Sequence, residues 1–291
     1  MSGVDPDCPP RRPPADGLFA GITVLGGAGF VGSALASHAR ALGLAVSTPA
    51  RGDERVFHEP LGHVVYTIGL TADFRTRPLE TVEAHVCVLR RLLAEGKFDS
   101  LTYLSSTRVY AGGRETSEDA TLRVNPNHAS DLYNLSKLTG EALCLHGGRS
   151  GMKVARLSNV VGLRSDPDTF IDQLMREARS TGQAVLRTQP ADRKDYISLS
   201  DTVALLVRIA MTPSTGIFNV ASGEAVANAT LIRMLGEVLG IAVQTLTDAP
   251  SWDFEPIDTT RIRREFGFIA RPFESHFTEF LQANRLPKAL Q

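Results

Sequence analysis

The amino-acid sequence predicts an α/β fold, a doubly wound parallel sheet with a smaller C-terminal α/β lobe. Two observations lead to this class. Short apolar, β-branched runs alternate with stretches of helical periodicity along most of the 291 residues, which is the pattern of strand–helix units on a parallel sheet. A glycine-rich turn at 26–32 also separates the first predicted strand, 18–25, from the first predicted helix, 30–42.

The later elements continue this alternation. Apolar runs predict strands at 46–51, at 63–69, from residue 101 and at 154–157. Apolar residues at helical spacing predict helices at 79–95, 132–146, 170–181, 229–239 and 259–266. Cys87 and Cys144 fall within two of these helices, and we expect both in the core.

One connection is too short for a complete strand–helix unit. Only 11 residues separate Arg51, where the second strand ends, from His63, where the next begins. A crossover helix needs a longer segment than this. We predict a turn at most in place of the usual helix, with a minimal strand at 55–57.

The composition is that of an ordinary globular chain, with 43% hydrophobic and 22% charged residues. A net charge of −1 gives no electrostatic reason to bind nucleic acid or an anionic membrane. No apolar stretch approaches the roughly 20 residues of a membrane helix. The three cysteines lack metal-ligand spacing, so no metal site is predicted, and a reducing, cytoplasmic compartment is expected.

The glycine-rich turn has the spacing that a bound dinucleotide requires. Gly26 permits a tight turn, Gly29 lets the backbone approach a pyrophosphate, and Gly32 lets the helix pack closely. Phe30 and Val31 begin the helix, whose N-terminal amides and dipole favour an anion. These residues predict a dinucleotide site, although glycines used only for packing would give the same pattern.

These features divide the chain into three parts. Residues 1–17 form a proline-rich tail that we expect to be disordered. Residues 18–165 form the dinucleotide-binding domain, to which a segment near 194–220 returns. Residues 166–291 form mainly the lobe that binds the substrate.

The end of the second strand indicates which dinucleotide binds. NAD-binding sites usually carry an acidic residue there for the ribose hydroxyls. This chain has Ala50 at that position, followed by Arg51. Because a guanidinium suits a 2′-phosphate, we predict NADP, with NAD as the less favoured choice. Arg51 as an ordinary solvated loop arginine is the alternative.

Tyr133 and Lys137 form the most informative pair. They lie four residues apart in a predicted helix and therefore share one face. A nearby positive charge lowers the pKa of a phenol and suits it to proton transfer in alcohol and carbonyl chemistry. The pair alone is a weak signal, but it follows a dinucleotide-binding pattern.

Taken together, these residues resemble the extended branch of the short-chain dehydrogenase/reductase superfamily, which includes nucleotide-sugar epimerases, dehydratases and reductases. The resemblance runs from about residue 22 to 280. Its other motifs are Ser105-Ser-Thr-Arg-Val-Tyr110, Arg156-Leu-Ser-Asn-Val-Val-Gly162, Lys194-Asp-Tyr-Ile-Ser-Leu-Ser-Asp201 and Phe218-Asn-Val-Ala-Ser-Gly223. It implies a Rossmann-type sheet and an NAD(P)-dependent oxidoreductase.

The resemblance also implies catalytic roles. Ser106 would polarise the substrate oxygen, Tyr133 would transfer the proton, and Lys137 would hold the nicotinamide ribose and lower the pKa of the tyrosine. Ser105 and Thr107 compete with Ser106 for the hydroxyl role. The sequence does not rank the three.

A nucleotide-sugar is the leading substrate, and a non-nucleotide ketone or lactone stays open. Family members bind the substrate pyrophosphate with arginines, one of which begins an Arg-Asp-Phe segment. This chain has Lys194 there, beside Arg193. The resemblance adds Thr107 and Asn159 to the expected substrate contacts. Arg193 and Lys194 as plain surface charges are the alternative.

The reaction type is narrowed by two positions. Sugar-nucleotide 4,6-dehydratases of this family carry an acidic pair where this chain has Thr107 and Arg108, so dehydration is disfavoured. NADPH-dependent 4-ketoreduction leads, because NADPH pools drive reduction. A 4-epimerase with retained cofactor is the alternative, and a non-catalytic NADP-binding sensor or scaffold is an alternative of another class.

The resemblance finally implies a homodimer. Extended members commonly pack two helices from each subunit into a four-helix bundle. The helices predicted at 79–95 and 132–146 carry more apolar residues than one sheet face would cover. The extra apolar residues could instead lie under a neighbouring loop.

Overall fold

The fold was analysed in a computed structural model that describes residues 21–71, 73–163, 170–246, 248–252 and 254–284. The predicted tail at 1–17 and the first residues of the strand predicted at 18–25 lie outside this range. Within it, no helix is long and apolar enough to cross a membrane.

A six-stranded, fully parallel sheet forms the centre of the molecule. Across the sheet the strands are β2 (Val46–Ser47), β1 (Ile22–Leu25), β3 (His63–Tyr66), β4 (Ser100–Ser106), β5 (Met152–Leu157) and β9 (Gly216–Val220). The order reverses at β1, so that β2 lies on one side of it and β3 on the other. Such a reversal opens a crevice at the carboxyl ends of the strands, where ligands bind in sheets of this type. The predicted doubly wound fold is confirmed.

Helices cover both faces of this sheet. One face carries α1 (Phe30–Ala41) and α6 (Leu199–Met211), which share a core cluster with β1, β5 and β9. The other carries α2 (Pro78–Val82), α3 (Val88–Glu95) and α4 (Asp131–His146). The buried Leu89, Tyr103 and Cys144 belong to the core cluster of that second face.

A smaller lobe is built from the C-terminal part of the chain. Its strands are β6 (Asn159–Val161), β8 (Arg193–Ser198) and β10 (Ala225–Ala227) in one sheet, and β7 (Gln183–Leu186) and β11 (Ala242–Thr245) in another. Its helices are α5 (Phe170–Thr181), α7 (Asn228–Leu239) and α9 (Phe273–Ala283), whereas α8 (Thr260–Phe266) packs on β9 of the main sheet. The segment near 194–220 returns to the main sheet only in part. Its β9 is a strand of that sheet and its α6 packs on it, while β8 lies in the smaller sheet.

The short connection between β2 and β3 contains a single 3-10 turn, Glu54–Phe57, which Asp53 caps by accepting a hydrogen bond from the Arg55 amide. The prediction of a turn at most was correct. The minimal strand at 55–57 was wrong, because no neighbouring strand pairs with the segment and Phe57 instead turns into the core.

The helix predicted at 79–95 is interrupted by a π-helical turn, Glu83–Cys87, between α2 and α3. The wider turn places His85 in the interior and Cys87 on the surface. The prediction of a core position was therefore wrong for Cys87 and correct for Cys144. π-turns are frequent at functional sites, and this one lies behind the tyrosine described below.

The free side of β9 is covered by side chains. Arg261, on α8, donates to the carbonyl oxygens of Thr215 at 2.8 Å and Ile217 at 2.5 Å. The Asn219 amide donates to Glu118 at 3.0 Å. Two outward backbone groups of β9, and the carbonyl just before the strand, thus have partners from the same chain.

Candidate active site at the carboxyl end of the sheet

The glycine turn after β1 has the shape of a phosphate cradle. Gly26 has φ +89°, and a Cβ atom there would lie 2.7 Å from the Thr67 hydroxyl. A Cβ at Gly32 would lie 2.4 Å from the Gly26 carbonyl oxygen, so both positions require glycine. Gly29 caps α1 without any side-chain hydrogen bond, and the first turn of the helix lacks acidic residues. Phe30 and Val31 therefore begin a helix whose end fits a pyrophosphate.

Arg51 lies beyond β2, on the neighbouring side of the same turn. Its side chain is exposed, and β2 itself is shorter than the strand predicted at 46–51. The chain between them packs on the cradle, since a Cβ at Gly27 would come within 2.9 Å of Thr48. Ala50 and Arg51 thus follow a segment that contacts the cradle.

Tyr133 and Ser106 meet across the carboxyl end of β4. Tyr133 lies in the first turn of α4 with 4% of its surface exposed, and Ser106 is the neighbouring hydroxyl that acts on its pKa. Burial raises the pKa of Tyr133, while Ser106 and the charge of Arg108 act in the opposite direction. The phenol is therefore held in its protonated form.

The three candidate hydroxyls are separated by the geometry. The Ser105 hydroxyl donates to Glu141 at 2.5 Å and is buried behind the strand. Thr107 is buried in the 3-10 turn Thr107–Tyr110 that follows β4. Among the described residues, only Ser106 of these three acts on the pKa of Tyr133.

Lys137 lies one helical turn after Tyr133 and is almost completely buried. Its Nζ donates to the Leu104 carbonyl oxygen at 2.9 Å. Burial lowers the pKa of Lys137 to about 7, while the charge of Glu141 acts to raise it. Its Nζ lies 6.0 Å from the Tyr133 ring centroid, and the nearby charge that acts to lower the pKa of Tyr133 is that of Arg108.

His85 supports the tyrosine from behind. Its Nε2 accepts a hydrogen bond from the Leu70 amide, so Nδ1 carries the proton and donates to the Ser136 hydroxyl at 2.8 Å. Ser136 donates in turn to the Tyr133 carbonyl oxygen at 2.9 Å. Burial, assisted by Lys137, lowers the pKa of His85 to about 2, so the ring is neutral and positions the helix.

A buried ion pair lies beneath the site. Arg156 on β5 binds Glu141 on α4 at 2.6 Å and also donates to the Tyr110 hydroxyl at 2.8 Å. Tyr110 donates to Asn219 on β9 at 2.8 Å. The network connects α4 to β5 and β9. The sequence analysis assigned no role to Glu141, although its position four residues after Lys137 could have suggested one.

The predicted substrate-binding residues differ in their burial and in their contacts. Asn159 donates to the Asp195 carbonyl oxygen at 2.8 Å, and Arg193 is exposed at the start of β8. Lys194 is half-buried, with Nζ 4.3 Å from the Phe170 ring centroid, and burial lowers its pKa. Thr107 lies in the buried turn after β4 and makes no direct approach to Tyr133 among the described contacts.

Arg108, like Glu141, was not predicted as a site residue. Its guanidinium carbon lies 5.8 Å from the ring centroid of Tyr133 and 5.3 Å from those of Phe74 and Trp252. In the sequence, Arg108 served only to disfavour dehydration, because it stands where dehydratases of the family carry an acidic residue. Its position two residues after Ser106 was the available signal, because the end of a parallel strand faces the ligand crevice.

The glycine cradle, the neighbouring Ser106 and Tyr133, and the buried lysine agree with an NAD(P)-dependent enzyme of the extended short-chain dehydrogenase/reductase type. A family model described as the NAD dependent epimerase/dehydratase family matches residues 22–221. The chain belongs to this family, and the resemblance predicted from the sequence is confirmed. A comparison with curated protein sequences finds no match.

Solved structures share the fold. MoeE5 in complex with UDP-glucuronic acid and NAD is 23% identical with a TM-score of 0.76, covering 91% of this chain and 97% of its own. UDP-glucuronic acid 4-epimerase from Bacillus cereus, in complex with UDP-glucuronic acid and NAD, is 17% identical with a TM-score of 0.73, covering 90% and 98%. RMD from Pseudomonas aeruginosa complexed with NADPH is 19% identical with a TM-score of 0.70, covering 90% and 99%.

Proposed function

We propose that the protein is an NADPH-dependent reductase of a 4-keto nucleotide-sugar. The observation that carries the proposal is the buried, protonated Tyr133, which lies beside Ser106 and one helical turn before the buried Lys137. A reduction needs a proton donor at the carbonyl oxygen, and burial keeps the Tyr133 proton in place. Solved structures with the same fold contain UDP-glucuronic acid or NADPH, which supports the choice of ligands.

In this proposal each residue acts at a stated atom. The Ser106 hydroxyl donates to the carbonyl oxygen of the substrate, and Tyr133 transfers its phenolic proton to the same oxygen. Lys137 holds the nicotinamide ribose, and the bound nicotinamide supplies the hydride. Thr107 and Arg108 provide no carboxylic acid beside Ser106, which disfavours dehydration.

The cofactor preference rests on the end of β2. Arg51 is exposed beyond the segment that packs on the glycine cradle, and Ala50 replaces the usual carboxylate. A guanidinium there is suited to the 2′-phosphate of NADP. Gly26, Gly29 and Gly32 would receive the pyrophosphate, whichever dinucleotide binds.

The test is a panel of 4-keto nucleotide-sugars incubated with NADPH or NADH. Loss of NADPH absorbance with formation of the 4-hydroxy sugar supports the proposal. Interconversion of C4 epimers without net cofactor consumption would replace the reductase with a 4-epimerase. Tight NADPH binding without either reaction would indicate a sensor or scaffold.

We further infer a homodimer formed through α2, α3 and α4. Leu79 on α2 is 82% exposed and Leu145 on α4 is 38% exposed, so apolar side chains remain uncovered on these helices. A four-helix bundle between two copies would cover such residues. Light scattering at micromolar concentration should give twice the monomer mass of 31.4 kDa. A monomer at that concentration would contradict the inference.

A further inference from the structure

Arg108 is a cation that forms no ion pair with any residue the structure describes. Within the described part of the molecule, its buried Nε has no hydrogen-bond partner. The side chain is half-buried against aromatic rings, and burial, followed by repulsion from Arg75, lowers its pKa. A buried donor that lacks an acceptor is unfavourable, and cation–π contacts offset only part of this cost.

The surroundings of Arg108 increase the positive charge. Lys194 is close enough for the two cations to repel each other, and Lys194 itself is half-buried over Phe170. The carboxylate that acts on Lys194, Asp192, already accepts bonds from the Ser251 hydroxyl at 2.7 Å and the Trp252 amide at 2.8 Å.

The carboxylate that acts on Arg108 is also occupied. Asp131 accepts bonds from the Asn125 amide at 2.8 Å and the Asn134 side chain at 3.0 Å. The space in front of Tyr133 therefore favours an anion that comes from outside the chain.

We propose that Arg108 binds a carboxylate carried by the sugar itself, so that the substrate is a nucleotide-linked uronic-type sugar. This inference rests on the proposed function and deepens it. The planar guanidinium matches a carboxylate through two parallel hydrogen bonds. Lys194, a point charge, suits the diphosphate.

The position of Arg108 selects the carboxylate over the diphosphate. Its guanidinium is stacked beside the ring of Tyr133, whose hydroxyl defines the reacting carbon. In a hexopyranose that reacts at C4, the carbon that bears C6 is adjacent, whereas the diphosphate on C1 lies across the ring. An anion held next to the reacting carbon is therefore the C6 carboxylate.

The test compares matched acidic and neutral nucleotide-sugars on the NADP⁺-bound protein. The pairs are UDP-glucuronic acid with UDP-glucose, and GDP-mannuronic acid with GDP-mannose. Calorimetry measures binding, and cofactor absorbance measures turnover. The wild-type protein should bind one of the acids at least about tenfold more tightly than its neutral partner, the effect of one charge-assisted bidentate pair.

Three variants give the inference its specificity. R108Q should lose that preference, R108K should keep only part of it, and K194Q should weaken the acid and the neutral sugar by the same factor. R91Q is the matched control, because Arg91 also stacks on an aromatic ring, Phe57, but is already paired with Glu54. R91Q should leave the preference intact.

The outcomes separate this inference from the proposed function. Equal weakening of acid and neutral sugar by R108Q would mean that Arg108 binds the diphosphate, and binding of neither acid by the wild-type protein would also overturn the inference. Arg108-dependent binding of an acid without any turnover would leave the inference standing and refute the reductase. Thermal melting of each variant shows that it is folded.

Discussion

Two arginines beside the same site, Arg156 and Arg108, differ in whether a residue of the described structure supplies their counter-ion. Arg156 is 3% exposed and is paired with Glu141, whereas Arg108 is half-buried without a carboxylate partner in the described structure. Burial opposes both charges. At Arg156 the bonds to Glu141 outweigh it and raise the pKa, while at Arg108 burial and Arg75 lower the pKa.

This difference distinguishes an arginine that stabilises the fold from one that is available to bind a ligand. Where the chain provides every partner, as at Arg156, the charges hold secondary-structure elements together. Where a donor is left without an acceptor, as at Arg108 Nε in the described structure, a ligand can complete it. The two nearby tyrosines differ in the same way. Tyr110 accepts a hydrogen bond from Arg156, whereas the Tyr133 ring lies beside Arg108.

The largest effect is expected from exchanging these tyrosines for phenylalanine. Tyr133→Phe should lower kcat by about 100-fold to 10,000-fold, the range for loss of a proton-transfer group, with NADPH affinity nearly unchanged. Tyr110→Phe is the matched control. It should keep turnover but lower the free energy of unfolding by about 1–2 kcal/mol, because Arg156 and Asn219 each lose a bond. Substantial activity in Tyr133→Phe would refute its catalytic role.

The next test removes each arginine. Arg156→Met leaves Glu141 buried without its counter-ion and should lower the free energy of unfolding by about 3–5 kcal/mol. Arg108→Met removes a charge that has no partner and should change stability by less than about 1 kcal/mol. Urea unfolding of both variants measures the difference. Equal losses would contradict the distinction between the two arginines.

A smaller effect concerns Lys137 and pH. Its pKa is about 7 in the folded protein and 10.5 as a model value, so the unfolded chain binds more protons between these pH values. Stability of the cofactor-free protein should therefore rise with pH above 7, by about 3 kcal/mol up to pH 9.5. Lys137→Met should lack this rise when unfolding is measured across the same range. An identical pH dependence in both proteins would show that Lys137 is not desolvated.

The smallest expected effect extends the comparison to exposed arginines. Arg51→Gln should weaken NADPH binding about tenfold and leave NADH binding unchanged, since only NADPH carries the 2′-phosphate. Arg55→Gln is the control, because exposed Arg55 is already paired with Asp53 at 2.7 Å. Fluorescence titration of both cofactors measures the change. Unaltered NADPH affinity in Arg51→Gln would remove the basis for the NADP assignment.

Features set by local sequence were predicted well. The helix predicted at 170–181 has those bounds in the structure, because its apolar residues recur at helical spacing and bury one face. The glycine turn was also predicted, because the tight turn leaves no room for a Cβ atom at Gly26 or Gly32. The 3-10 turn Glu54–Phe57 was mistaken for a strand because its buried Phe57 gives the same apolar signal.

Features set by distant contacts were not predictable. Neighbouring residues of a strand point to opposite faces, so Ser105 and Ser106 were equivalent candidates until the positions of Glu141 and Tyr133 were known. The isolation of Arg108 likewise depends on which carboxylates lie near it and are already engaged. No sequence spacing carries that information.

The covered edge of β9 has a consequence for self-association. An exposed edge strand is a template to which another chain can add a strand, which leads to aggregation. Arg261 and Glu118 already occupy outward backbone groups of β9, and at the opposite edge β2 offers only two residues. Both margins of the main sheet are therefore poor starting points for intermolecular strand pairing. Removing Arg261 would free two carbonyl oxygens and open one of these margins.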